Sequence, residues 1–137
     1  MNPPLPSHIW HLYGSDASGP PVAILGGTHG DELTGLWLVQ HMLKALNVVD
    51  RGPGSYMVDG VLGHLYIGIG NPEAVLRGTR SASRENEKDL NRCFEPMVMD
   101  DPKNTFTDVV RARELFPFLH GLDYLFDIHA MSNPKVA

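Results

Sequence analysis

The sequence predicts an α/β fold, a mainly parallel sheet flanked by helices, and three observations carry that prediction. Apolar runs of strand length alternate with segments of helical spacing, the order expected of a parallel sheet with crossover helices. Two of the runs, "VAILGG" and "HLYIGIGN", are apolar without alternation, as strands covered on both faces are. The polar clusters "THGDE", "NPEA" and "DIH" each fall at the carboxyl end of such a run, where sites lie in sheets of this kind.

Each element follows in order. "SHIWHLY" is short, aromatic and β-branched and reads as an edge strand; "GSDASGPP" after it is a loop. "VAILGG" is the first core strand. In "DELTGLWLVQHMLKALN", Leu33, Leu36, Trp37, Val39, Met42, Leu43 and Leu46 fall mostly at helical spacing. Asp31 and Glu32 are placed in the first turn of that helix, where the dipole favours carboxylates. "VVDRGPGSYMVDGVLG" is a loop with a short extended piece, and "HLYIGIGN" is the second core strand. Pro72 opens a short helix, "PEAVLRG", since proline suits the first helical position. Residues 78 to 106 are polar and irregular. "DVVRARELFPFLHG" is helical in pattern, with Pro117 expected to kink it or end it early. "DYLFDIHAM" is the third strand and "SNPKVA" a turn.

A length of 137 residues fits one domain or one half of something larger, and a hydrophobic fraction of 42% supplies a core. The formal charge of -5 argues against a nucleic-acid partner, and no apolar run reaches the roughly 18 to 20 residues that span a bilayer. The start, "MNPPLPSHIW", has neither the basic nor the apolar region of a signal peptide, and a single cysteine, Cys93, allows no intrachain disulfide. A cytoplasmic protein without membrane attachment is the expectation.

His29 and Glu32, three positions apart at a loop-to-helix junction, would form a three-ligand zinc site with one further nitrogen ligand, leaving a fourth position open. Taken alone, the tetrapeptide favours the other reading, a solvated histidine beside a helix-start glutamate. His129, at the end of the apolar strand "DYLFDIHAM", is the candidate for that nitrogen, with a strand-end histidine satisfied by a backbone carbonyl as the alternative. Asp127, two residues before it, points to the same face of a strand and could orient the imidazole or shape the site floor. His8, His11, His41, His64 and His120 are read as structural or solvated, Cys93 as a buried thiol, Trp10 and Trp37 as structural, and Met97, Met99 and Met131 as packing residues. Between Arg77 and Arg92 the chain concentrates Arg77, Arg80, Arg84, Lys88 and Arg92, which suits an anionic ligand because guanidinium can grip a carboxylate with two parallel bonds. A solvated loop neutralised by Glu85, Glu87 and Asp89 is the alternative.

Taken in order, "GGTHGDE", "NPEA" with a following arginine, "DLNRCF" and "DIH" resemble the succinylglutamate desuccinylase/aspartoacylase family of the zinc carboxypeptidase superfamily, over residues 22 to 134. The resemblance implies a zinc-carboxypeptidase-like fold, of which these residues would form the N-terminal part. It implies a hydrolase with one zinc ion per chain that removes the acyl group from a small anionic N-acyl amino acid. By that likeness His29, Glu32 and His129 would hold the metal and Asp89 would accept a hydrogen bond from a ligating histidine. Asn91 and Arg92 would bind the substrate α-carboxylate, and an upstream arginine would stabilise the tetrahedral intermediate. Arg80 matches when counted forward from "NPEA" and Arg84 when counted back from "DLNR"; Arg80 is preferred, with Arg84 as a second substrate-binding candidate. The family's general-base glutamate lies in a later part of its chains, and none of these residues matches its context. Residues 1–137 are thus expected to be the N-terminal part of a catalytic domain, or a metal- and anion-binding module. A carboxypeptidase of the same superfamily is the enzyme alternative. Association, as a dimer for example, is expected because such a part would leave a sheet edge and an apolar patch uncovered.

Overall fold

A computed structural model of the chain describes residues 3–83 and 88–130. Arg84, Glu85, Glu87, Met131 and the turn expected over 132–137 lie outside the described residues. Five strands form one mixed, mostly parallel sheet: β1 (Ile9–Tyr13), β2 (Pro21–Gly26), β3 (Gly54–Met57), β4 (His64–Ile69) and β5 (Tyr124–Ile128), in the order β3-β1-β4-β2-β5. β2 pairs in parallel with β4 and β5, and β1 with β3; only β1 and β4 run antiparallel. β1 is therefore not the edge strand its pattern suggested. The extended piece inside the "VVDRGPGSYMVDGVLG" loop is β3, and it covers that edge.

Helix α1 (Leu33–Ala45) packs on one face of the sheet and α4 (Thr107–His120) on the other. Alternation in β1 divides the core: Trp10 and Leu12 join Val39, Leu43, Val48 and Ile67 on the α1 side, while Ile9 joins Ala23, Leu25, Val109, Ala112, Leu115 and Phe118 on the α4 side. Each large side chain so buried contributes about 1.5–3 kcal/mol. Pro117 does not end α4, which runs on to His120. The missing N–H falls within the last turn, where buried Leu115 and Phe118 hold the helix against the sheet, and Phe118 meets the Tyr66 ring edge-on at 5.1 Å.

Two close approaches set where α1 and α2 (Pro72–Arg77) sit. A Cβ on Gly35 would lie 2.9 Å from the Gly26 Cα and 2.5 Å from the Ile128 carbonyl oxygen, so α1 rests directly on the backbones of β2 and β5. A Cβ on Gly30 would lie 2.0 Å from the Ala74 carbonyl oxygen, so the loop after β2 rests directly on α2. Pro72 opens α2, as read from the sequence, and the Asn71 side chain caps it by accepting from the Ala74 N–H at 3.4 Å. A helix of four residues, α3 (Pro96–Met99), precedes α4. Among the described residues no helix is long and apolar enough to cross a membrane.

Some side chains differ from their sequence readings. Trp10 is structural, buried and donating to the Val48 carbonyl at 3.2 Å, but Trp37 is 65% exposed and Met97 92% exposed. His11 and His64 hydrogen-bond to one another at 2.8 Å and line a cavity of about 480 Å³ at the amino end of β4. Burial, and His64 beside it, lower the His11 pKa.

Candidate metal centre

The three polar clusters gather because β4, β2 and β5 are parallel neighbours, so their carboxyl ends open on one edge of the sheet. After β2 the chain turns through Gly27, at φ +71°, and reaches His29 and Glu32 before α1 begins at Leu33. Asp31 and Glu32 thus precede the helix rather than occupy its first turn. Glu32 holds the N-cap position with extended backbone, yet its carboxylate caps no N–H of α1. It turns to the histidines instead. Its Oε2 lies 2.9 Å from His29 Nδ1 and 2.9 Å from His129 Nδ1.

The far nitrogens of both rings meet aspartates. His129 Nε2 is 2.8 Å from Asp127 Oδ2, the same-face neighbour two residues earlier, and Asp127 Oδ1 accepts from the Thr28 hydroxyl at 2.6 Å. His29 Nε2 lies 3.5 Å from Asp89 Oδ2 and, although buried, makes no hydrogen bond. Burial pulls the His129 pKa down, but the bonds to Asp127 and Glu32 outweigh it and raise the value above the ordinary one. Protons placed on Nε2 beside the aspartates would leave both Nδ1 lone pairs facing a carboxylate oxygen. A divalent cation among the three atoms would relieve that conflict. His29, Glu32 and His129 each offer a donor atom within 4.8 Å of the others, and two imidazoles with one carboxylate make a set suited to zinc with an open fourth position.

Asp89 joins the site to the arginine loop. Its carboxylate accepts from the Asn91 N–H at 3.1 Å, capping a 3-10 turn over Leu90–Arg92, and from Arg80 Nε at 3.0 Å. Burial raises the Asp89 pKa, but Arg80 and His29 overcome that and hold it below the usual carboxylate range. Arg80 therefore stands beside His29 with Asp89 between them. Asn91 and Arg92 stand exposed in the turn that Asp89 caps. The rest of the basic run is dispersed: Arg77 pairs with Glu73 at 3.4 Å along α2, and Lys88 with Glu95 at 3.3 Å. His8, His41 and His120 are exposed and belong to other parts of the molecule. Sequence reasoning named Asp127 but not its partner Thr28, although Thr28 stands inside "THGDE". It also passed over Asp108, whose contacts only the tertiary fold reveals.

Residues 18–133 match the family described as the succinylglutamate desuccinylase/aspartoacylase catalytic domain. An N-acyl-aromatic-L-amino acid amidohydrolase (carboxylate-forming) of Danio rerio is 33% identical over 79% of this chain and 32% of its own length. A probable aspartoacylase of Parasynechococcus marenigrum is 35% identical over 74% of this chain and 29% of its own. Among solved structures, a succinylglutamate desuccinylase/aspartoacylase from Rhodobacter sphaeroides superposes with a TM-score of 0.65 at 26% identity, over 88% of this chain and 32% of that one. Murine aminoacylase 3 superposes at 0.57 and 27% identity, over 80% and 35%. The chain spans about a third of the length of the relatives it matches.

Proposed function

The chain belongs to the succinylglutamate desuccinylase/aspartoacylase family, and on that premise we propose that it is the metal- and substrate-binding part of a zinc-dependent amidohydrolase acting on N-acylated amino acids. One observation carries the reading: His29 Nδ1, Glu32 Oε2 and His129 Nδ1 converge, while an aspartate faces the far nitrogen of each imidazole. Ligating histidines are commonly backed in that way, which fixes the tautomer and strengthens the ligand.

A zinc ion held by these residues would supply Lewis acidity, able to polarise the scissile carbonyl and activate water near neutral pH. The chain's own groups do the rest. His29, Glu32 and His129 would hold that ion beside the carboxyl ends of β2 and β5. Arg80 commits Nε to Asp89, leaving its terminal amino groups to meet the negative charge that develops on the carbonyl oxygen. Asn91 and Arg92, on the exposed rim, receive the α-carboxylate of the amino acid, and Arg84 is a further candidate for that contact. The proton transfer from water to the leaving amine needs a general base beyond these groups, since Glu32 is spent on the metal.

Protein purified without chelator is expected to carry about one zinc per chain. His29→Ala and His129→Ala each abolish retention and His41→Ala keeps it, while Asp127→Asn lowers zinc affinity about 10- to 100-fold. Metal analysis of the four variants checks this; loss of zinc in all of them, or in none, contradicts the ligand set. Titration of the zinc-loaded chain with N-acetyl-L-aspartate, followed by an assay for released acetate, separates the two forms of the reading. Binding with turnover makes the chain an enzyme, and binding without turnover makes it a module that needs a further carboxylate.

A further inference from the structure

Asp108 lies in the first turn of α4 and is fully buried. Its two oxygens accept four hydrogen bonds: Oδ1 from Asn71 Nδ2 at 2.7 Å and the Ala82 N–H at 3.2 Å, Oδ2 from the Ser83 N–H at 2.8 Å and the Ser83 hydroxyl. The donors come from two different segments. Asn71, 1% exposed, stands at the carboxyl end of β4 and caps α2; Ala82 and Ser83 belong to the loop that follows α2. A carboxylate stripped of water is tolerated only when its acceptor capacity is filled, as it is here. Removing either oxygen as an acceptor would release the loop while leaving the sheet intact.

What the clamp holds is the arginine. Arg80 lies two residues before Ala82 in the same loop, with its Nε on Asp89 and Asp89 against His29. Asp108 touches neither Arg80 nor the proposed metal ligands, so its effect passes through the backbone of residues 80–83. We propose that Asp108 is a positioning residue: through Asn71, Ala82 and Ser83 it fixes the arginine loop to the end of β4, and so sets Arg80 beside the metal centre. The inference rests on the role given to Arg80 above. Arg111, one turn further along α4, shows the contrasting case. Its guanidinium donates to the carbonyls of Ser7, Ile69 and Gly70 and pairs with Glu114 at 2.6 Å, which clasps the amino-terminal segment to β4 and involves no loop arginine.

Asp108→Asn keeps the shape and turns one acceptor oxygen into a donor. In the zinc-loaded chain, hydrogen exchange at the Ala82 and Ser83 amides is expected to quicken by about tenfold or more, with the β2 and β4 amides unchanged. Trypsin is expected to cut faster after Arg80. Affinity for N-acetyl-L-aspartate should fall about tenfold while zinc affinity holds, and the double variant Arg80→Ala/Asp108→Asn should bind no worse than Arg80→Ala. Additive losses, or exchange that rises across the whole sheet as expected for Arg111→Met, would overturn the proposal. Unchanged exchange at Ala82 and Ser83 would overturn it too. If the unsubstituted chain binds zinc but no N-acyl amino acid, the functional reading fails, and the exchange and cleavage rates still decide the clamp. Should Asp108→Asn not fold, Ser83→Ala removes one donor alone and carries the same comparison.

Discussion

Glu32 occupies a position where an acidic side chain ordinarily caps its own helix, and it gives up that bond to face two imidazoles. Such a departure from local preference marks a site, because a satisfied cap would have stabilised α1 by about 1 kcal/mol. Asp89 shows the opposite economy, meeting a backbone amide, an arginine and a histidine with one carboxylate. Cys93 follows four residues after Asp89 and is a buried thiol. Burial, with the charges of Asp108 and Asp89, pushes its pKa up to about 11, and its Sγ lies 3.2 Å from the Asp89 carbonyl oxygen. Iodoacetamide at pH 8 is therefore expected to alkylate the native protein roughly a hundredfold more slowly than the unfolded chain. A native rate equal to the unfolded one, followed by mass spectrometry, would show the thiol to be accessible and ionised.

At the scale of elements, the seat of α1 is the sensitive joint. Gly35→Ala would force its new Cβ against the Ile128 carbonyl and the Gly26 Cα, lifting the helix from β2 and β5. A loss of about 1–3 kcal/mol is expected in denaturant unfolding, as for other overpacked contacts. Weaker zinc retention should accompany it, because Ile128 directly precedes His129 and Gly35 stands in the first turn of α1, three residues after Glu32. Unchanged stability would mean that the helix has room to shift. The sequence made most elements legible: the buried strands by their unbroken apolar runs, α1 and α4 by spacing, α2 by its proline. It misplaced β1 at the edge because β3, four residues with two glycine-bearing turns around it, carries too little alternation to register as a strand. It also gave Pro117 too much weight, since propensity yields to packing near a helix end. The candidate ligands His29, Glu32 and His129, with Asp127, were readable from strand-end position and Asp89 only through the family resemblance, but Asp108 was not readable at all. A helix-start aspartate has an ordinary reading, and the hydrogen bonds that distinguish it span the fold.

For the molecule as a whole, β5 is the exposed boundary. Among the described residues it is paired with β2 on one side only, and Tyr124, Leu125 and Phe126 are each about half exposed, at 57%, 46% and 53%. Leu33 and Trp37 on α1 add further exposed apolar surface. An edge strand with apolar residues on both faces is a template for pairing, so the chain is expected to self-associate, with weight-average mass by light scattering rising as concentration increases. A constant monomer mass across the range would contradict this, and Phe126→Lys should reduce any association that occurs. Strand adjacency was beyond reach of the sequence, which supplied three polar strand ends but not the order that brings them together.

That order has one more consequence. Gly26 and Ile128 are paired across β2 and β5, so the turn bearing His29 and the residue His129 leave the sheet from rungs of the same ladder. In the proposed metal site the spacing of His29 and His129 would thereby be gauged by the separation of two hydrogen-bonded strands, about 4.8 Å, a length that side-chain exchange cannot stretch. Substitutions on the exposed rim would leave that spacing unaltered, so the proposed fit to a small, four-coordinate ion would rest on the backbone.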